Sequence, residues 1–108
     1  MTGIDVSEAF RRTCEGSAVL VDVRETEEYL AGHARNAQSL PLSSLSCTQL
    51  PAGIDVLMIC RSGKRSAKAV ERARQAGVHA INVDGGTLAW READLPMDAS
   101  GPPPPEVA

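Results

Sequence analysis

The stretch Leu57-Met58-Ile59-Cys60-Arg61-Ser62-Gly63-Lys64-Arg65-Ser66-Ala67 sets a short apolar run against a charged, glycine-containing turn. A run of that length, Val56–Ile59, bounded by turn residues has the pattern of a buried strand. Past the turn, Ala67, Val70, Ala73 and Ala76 recur at helical spacing, with Gly77 beyond them. A helix is therefore expected from Ser66 to Gln75, capped by the Ser66 hydroxyl and stopped by the glycine. Strand, loop and helix in that order are the building block of a parallel sheet.

The pattern repeats outward. Ala18–Val23 is a second β-branched run and His79–Val83 a third, with weaker extended pieces at Ile4 and at Ser39-Leu40. Helices are expected at Ser7–Cys14, with Asp5 or Ser7 as cap, and at Thr26–Ala31, stopped by Gly32. Shorter ones are expected at Ser43–Leu50 and at Thr87–Glu92, the latter after Gly85-Gly86. Strands alternating with helices predict an α/β fold with a mostly parallel sheet.

The chain has 108 residues, enough for one domain, and aromatics make up only 3% of it. Its core must come from Val, Leu, Ile and Ala, as in a sheet buried on both faces. Residues 1–98 are expected to form that domain. Residues 99–108 are expected to be a disordered or polyproline tail or linker, because four prolines remove backbone donors. Net charge is -3, which argues against general nucleic-acid binding. No apolar run is long enough to span a bilayer, and no basic segment followed by an apolar one marks a secretory signal. A cytoplasmic location is the expectation.

Cys14, Cys47 and Cys60 are odd in number and far apart, so neither a disulfide framework nor a CxxC zinc site is expected. Cys60 stands apart from the other two by its place. It falls at the carboxyl end of a parallel strand, where open α/β sheets bind ligands. If the loop curls, its amides converge on the sulfur, and Gly63 permits the curl. Arg61, Lys64 and Arg65 add three positive charges in the loop. Amides and cations of this kind lower a cysteine pKa, making the thiolate nucleophile available at neutral pH, and they attract an anionic substrate. The plainer reading is a buried structural cysteine beside a solvated turn. The coincidence of charge, glycine and strand–loop–helix context favours the reactive one.

With Arg65 five positions after Cys60, four residues lie between them. That is one fewer than in the loop that phosphatases wrap around a phosphate, and a shorter cradle suits a sulfane sulfur on a small anion. These residues resemble the rhodanese family. Cys60-Arg61-Ser62-Gly63-Lys64-Arg65, followed by Ser66, is similar to its active-site loop, nucleophile first. Val21-Asp22-Val23-Arg24, Glu28-Tyr29 and Gly32-His33 resemble its entry segment, and Asp84-Gly85-Gly86, Trp90 and Leu95-Pro96 a third signature. Ala34-Arg35-Asn36-Ala37 departs from the family's usual apolar residue and Pro-Gly-Ala.

The resemblance implies a central parallel sheet of about five strands flanked by helices on both faces. It implies a thiosulfate sulfurtransferase that carries sulfur as a Cys60 persulfide. Arg61, Ser62, Gly63, Lys64, Arg65 and Ser66 would hold an anionic donor such as thiosulfate. Cyanide, a thiol or a protein would accept the sulfur, with no metal or organic cofactor. Two other uses stay open: a sulfur-carrying or redox-sensing module of a larger assembly, and a phosphatase or arsenate reductase on the same fold.

The remaining polar residues read as structural. Asp22 is expected to bond loop amides and Arg24 to pair with a carboxylate such as Glu28, rather than the two forming an acid–base pair. His33 and His79 have no sequence link to Cys60, and a preformed thiolate needs no base. Trp90 is expected to pack on the sheet, Gly85-Gly86 to make a tight turn and Arg35 to be a solvated loop residue. Cys47 is a candidate resolving thiol under oxidation.

Overall fold

The computed structural model describes residues 3–100 and 105–108. Helix α1 spans Val6–Glu15 and strand β1 Ala18–Asp22; helix α2, Thr26–Ala31, is followed by strands β2, His33–Ala34, and β3, Ala37–Ser39. Strand β4 is Asp55–Ile59, helix α3 Lys64–Gln75, strand β5 Ala80–Asn82, helix α4 Gly86–Glu92 and strand β6 Met97–Asp98.

The main sheet is parallel, in the order β3-β1-β4-β5. Where about five strands were expected there are four, and Ile4 extends the β5 edge by a single parallel bridge to Val83. The two longest strands, β1 and β4, lie in the middle, Ala18 beside Asp55 through Asp22 beside Ile59. Their side chains alternate between the faces, so each strand supplies two cores. On one face Val21, Val56 and Met58 meet Ala69, Val70 and Ala73 of α3, closed over by Leu45 and Leu50. On the other, Leu20, Leu57 and Ile59 meet Val6 and Ala9 of α1 and Trp90 of α4. Trp90 is fully buried, donates from Nε1 to the Pro96 carbonyl at 2.8 Å and stands edge-on to Phe10. Small Ala9, Ala69 and Ala73 let the helices approach a sheet whose own residues are bulky and branched.

Several local expectations change. The helix expected at Ser43–Leu50 is two separate 3-10 turns, Leu42–Ser44 and Cys47–Gln49. Ser46 and Gln49 cap one another across the second turn, a local bonding pattern that competes with a continuous helix. Helix α3 starts at Lys64, two residues early, because Gly63 takes the cap position at φ 98°. Asp5 caps α1 as expected, accepting from the Glu8 amide at 2.8 Å. The antiparallel pair β2–β6, with His33 opposite Asp98, was not anticipated. His33 stacks on Tyr29 at 3.7 Å between ring centroids, and Arg35 pairs with Asp98. Of the expected tail, residues 101–104 lie outside the described residues; the Glu106 amide donates to the Ala31 carbonyl at 2.9 Å.

At the end of β1, Asp22 forms a fully buried ion pair with Arg24, two residues on. Arg24 Nε reaches both Asp22 carboxylate oxygens at 3.1 Å, and one terminal nitrogen spans Asp22 at 2.8 Å and the Gly32 carbonyl at 2.7 Å. Asp22 also accepts the Arg24 amide at 3.0 Å. Thus Arg24 pairs with Asp22, not with Glu28. The pair ties the end of β1 to the end of α2. Asp22→Asn keeps the shape and leaves the guanidinium without its counter-charge, so a loss of roughly 3–5 kcal/mol in urea unfolding is expected.

Candidate active site

Cys60 is the first residue after β4 and only 1% exposed. Three structural elements shape its loop. Strand β4 delivers the sulfur to the carboxyl edge of the sheet. Helix α3 brings the Gly63 amide to Sγ at 3.1 Å and the Ser66 hydroxyl to 3.4 Å. Helix α4 holds the outer side. The Thr87 amide and hydroxyl donate to the Cys60 carbonyl at 2.8 and 3.0 Å, and the Leu88 amide donates to the Arg61 carbonyl at 3.1 Å. Because a peptide's C=O and N–H point in opposite directions, drawing the Arg61 carbonyl outward turns the Ser62 amide inward. Gly86 makes this contact possible. A Cβ there would lie 2.5 Å from the Cys60 carbonyl oxygen and 2.6 Å from that of Arg61.

Burial alone would push the Cys60 thiol up. The Ser66 hydroxyl and the amides of Ser66, Gly63 and Ser62 outweigh it, and the thiol lies below the ordinary cysteine value. The expected thiolate stabilisation by loop amides is thus present, the Ser66 hydroxyl adds to it, and of the three loop cations Arg65 interacts electrostatically with the sulfur as a smaller contribution. Arg65 is bound through both terminal nitrogens to Glu28 of α2, at 2.7 and 2.8 Å. That bidentate contact holds the Glu28 carboxyl below its usual range. Arg61 and Lys64 are exposed and, among the described residues, join no ion pair. Ser62 is exposed, and Gly63 and Ser66 are buried.

The structure therefore brings Cys60, Ser62, Gly63 and Ser66 together around one sulfur and leaves Arg61 and Lys64 at the rim. Cys47 packs against the core cluster that contains Cys60, and Cys14 is exposed on α1. His33 sits on β2 with its Nδ1 2.8 Å from the Tyr29 carbonyl, and His79 is exposed before β5. Among the described residues no cluster of three or more His, Cys, Asp or Glu is arranged to hold a metal ion, and no helix is long and apolar enough to cross a membrane. Sequence reasoning missed the contacts of Thr87 and Leu88 to the loop, which span 27 residues, and gave Glu28 to Arg24 where its partner is Arg65, 37 residues away.

A buried thiol, ringed by donors at the end of a central parallel strand, is the centre of this α/β domain's candidate site. The rhodanese-like domain model matches residues 6–93, and the chain belongs to that family. A rhodanese-related protein from Thermoplasma volcanium has the same fold at a TM-score of 0.83 and 29% identity, over 91% of this chain and 98% of that one. An uncharacterised protein of Synechocystis is 44% identical over 85 residues, 76% of this chain and 48% of that protein. An HTH-type transcriptional regulator of Mycobacterium tuberculosis is 38% identical over 100 residues, 89% of this chain and 44% of the regulator. The chain thus spans less than half the length of either curated relative.

Ser66→Ala removes a donor that favours the thiolate, so the pH midpoint of Cys60 alkylation by iodoacetamide is expected to rise. Mass spectrometry of the Cys60 peptide over a pH series reads it; an unmoved midpoint would assign the acidity to the amides alone.

Proposed function

We propose that the domain is a sulfurtransferase that carries sulfane sulfur on Cys60. The observation that supports this most is the ring of donors on Sγ, from the Gly63 amide at 3.1 Å and the Ser66 hydroxyl at 3.4 Å. These donors favour an anionic sulfur both before and after loading. In the first step the Cys60 thiolate attacks the outer sulfur of thiosulfate. The sulfur–sulfur bond of the donor breaks, sulfite leaves with the electron pair, and a Cys60 persulfide remains. In the second step cyanide or a thiolate attacks the terminal sulfur, takes it, and returns Cys60 to its thiolate. Arg61 and Lys64 at the rim attract the anionic donor. A cysteine only 1% exposed as a residue suits a donor that presents one small terminal atom.

A second reading has its own support. The chain is similar to less than half of a transcriptional regulator, so the same persulfide chemistry could serve a sulfur-carrying or redox-sensing module in a larger protein. Turnover separates the two. An enzyme cycles on free thiosulfate and cyanide, whereas a module loads once and waits for a specific acceptor.

The intact mass of reduced protein after thiosulfate treatment and desalting tests the common step. A gain of about 32 Da, removed by cyanide as thiocyanate and absent in Cys60→Ser, is expected. Cys14→Ser and Cys47→Ser should keep most of the transfer. Loss in either comparable to Cys60→Ser would sink the single-cysteine route. Turnover of a phosphate ester or arsenate without any sulfur gain would replace sulfur transfer altogether.

A further inference from the structure

Asn82, the last residue of β5, sits behind the Cys60 loop and touches it twice. Its Nδ2 faces two acceptors, the Gly63 carbonyl and an Asp84 carboxylate oxygen, each at 3.2 Å. Two acceptors on that side assign the amide orientation, so Oδ1 faces the Ser66 hydroxyl, 2.5 Å away. The same hydroxyl lies 3.4 Å from Cys60 Sγ. A hydroxyl has one proton to give. Asn82 and Cys60 therefore compete for it, and by distance Asn82 holds it while the sulfur is neutral.

We propose that Asn82 is a positioning residue for Cys60, setting through Ser66 how much of that hydroxyl's proton the sulfur receives. The inference rests on Cys60 being the nucleophile. An anionic sulfur, as thiolate or persulfide, draws the Ser66 hydroxyl away from Asn82; a neutral one leaves it there. The loop does not depend on Asn82 for its shape. The Gly63 carbonyl also accepts the Ala67 amide at 3.3 Å, and Thr87 and Leu88 hold the Cys60 and Arg61 carbonyls. Among the described residues, Asn82 is the one acceptor for the Ser66 proton besides the sulfur itself. The charged groups around the loop are Arg61 and Lys64 at its rim, Arg65 of α3 with its partner Glu28 of α2, Asp22 at the end of β1 with Arg24, and Asp84 after β5.

The test is the pH profile of Cys60 alkylation by iodoacetamide, read by mass spectrometry on the full chain. Alkylation needs no sulfur donor, so a failure to load sulfur from thiosulfate would overturn the sulfurtransferase reading and leave this one standing. Asn82→Ala removes the competing acceptor, and its midpoint is expected to fall by about half a pH unit, roughly a threefold gain in thiolate below the midpoint. Asn82→Asp keeps an acceptor and makes it anionic, so its midpoint is expected to rise. On a Ser66→Ala background, Asn82→Ala should move nothing, because its only route to the sulfur is gone. A merely structural Asn82 would loosen the loop in both variants and raise both midpoints, which overturns the proposal. So does an unmoved midpoint in Asn82→Ala, or a shift that survives Ser66→Ala. Circular dichroism checks folding, and Asn82→Ser, too short to reach Ser66 in the same way, replaces the alanine variant if that fails to fold.

Discussion

The close approach of α4 to the carbonyl side of the Cys60 loop is the contact on which the site depends. Amides at the start of that helix have no partners within it. Here Thr87 and Leu88 spend theirs on the carbonyls of Cys60 and Arg61. With the carbonyls held outward, the loop amides are left facing inward, where the sulfur lies. Gly86 is required because the two backbones meet with no room for a Cβ. Trp90, one turn further along, anchors the same helix in the core beneath. The loop is therefore rigid for the reason that the fold is stable: one helix serves as both core wall and clamp.

Electrostatics in this region divide into two sets. One set is paired: Asp22 with Arg24, buried and two residues apart, and Glu28 with Arg65, bidentate and 37 residues apart. They tie the entry segment around α2 to the end of β1 and to α3. Their charges are matched and face each other. The donors on Cys60 are amide dipoles, as expected, and a hydroxyl, and they outweigh the contribution of the cations. Arg61 and Lys64 remain as the exposed positive edge of a chain whose net charge is -3.

Much of this was legible because the strands are short, apolar and bounded by turns. Val56–Ile59 and Ala18–Val23 can be read as buried strands with little ambiguity, and Thr26 to Gly32 carries its own start and stop. The Cys60 loop was legible too, since Cys60, Gly63 and the basic residues fall within a few positions of each other. Contacts that close between distant segments were not. Nothing near Ser66 signals Asn82, and Ser66 itself looks like a cap because a serine at a helix start usually is one. Gly63 takes that position instead, and the hydroxyl is left to face Asn82 and the sulfur. Likewise Arg24 could have met any nearby carboxylate. Burial of Asp22 on the same strand end decides the partner, and burial is a property of the assembled sheet.

Because the donors on Cys60 are buried dipoles, their influence does not pass through solvent. Counter-ions gather around exposed charges within a Debye length of about 8 Å at physiological ionic strength, and they do little to groups sealed from water. Concentrated salt would thus screen the exposed charges of Arg61 and Lys64 while reaching the buried donors on the sulfur far less. The field at the rim and the surroundings of the sulfur are largely separable in this molecule: one belongs to the ionic atmosphere outside, the other mostly to the peptide bonds inside.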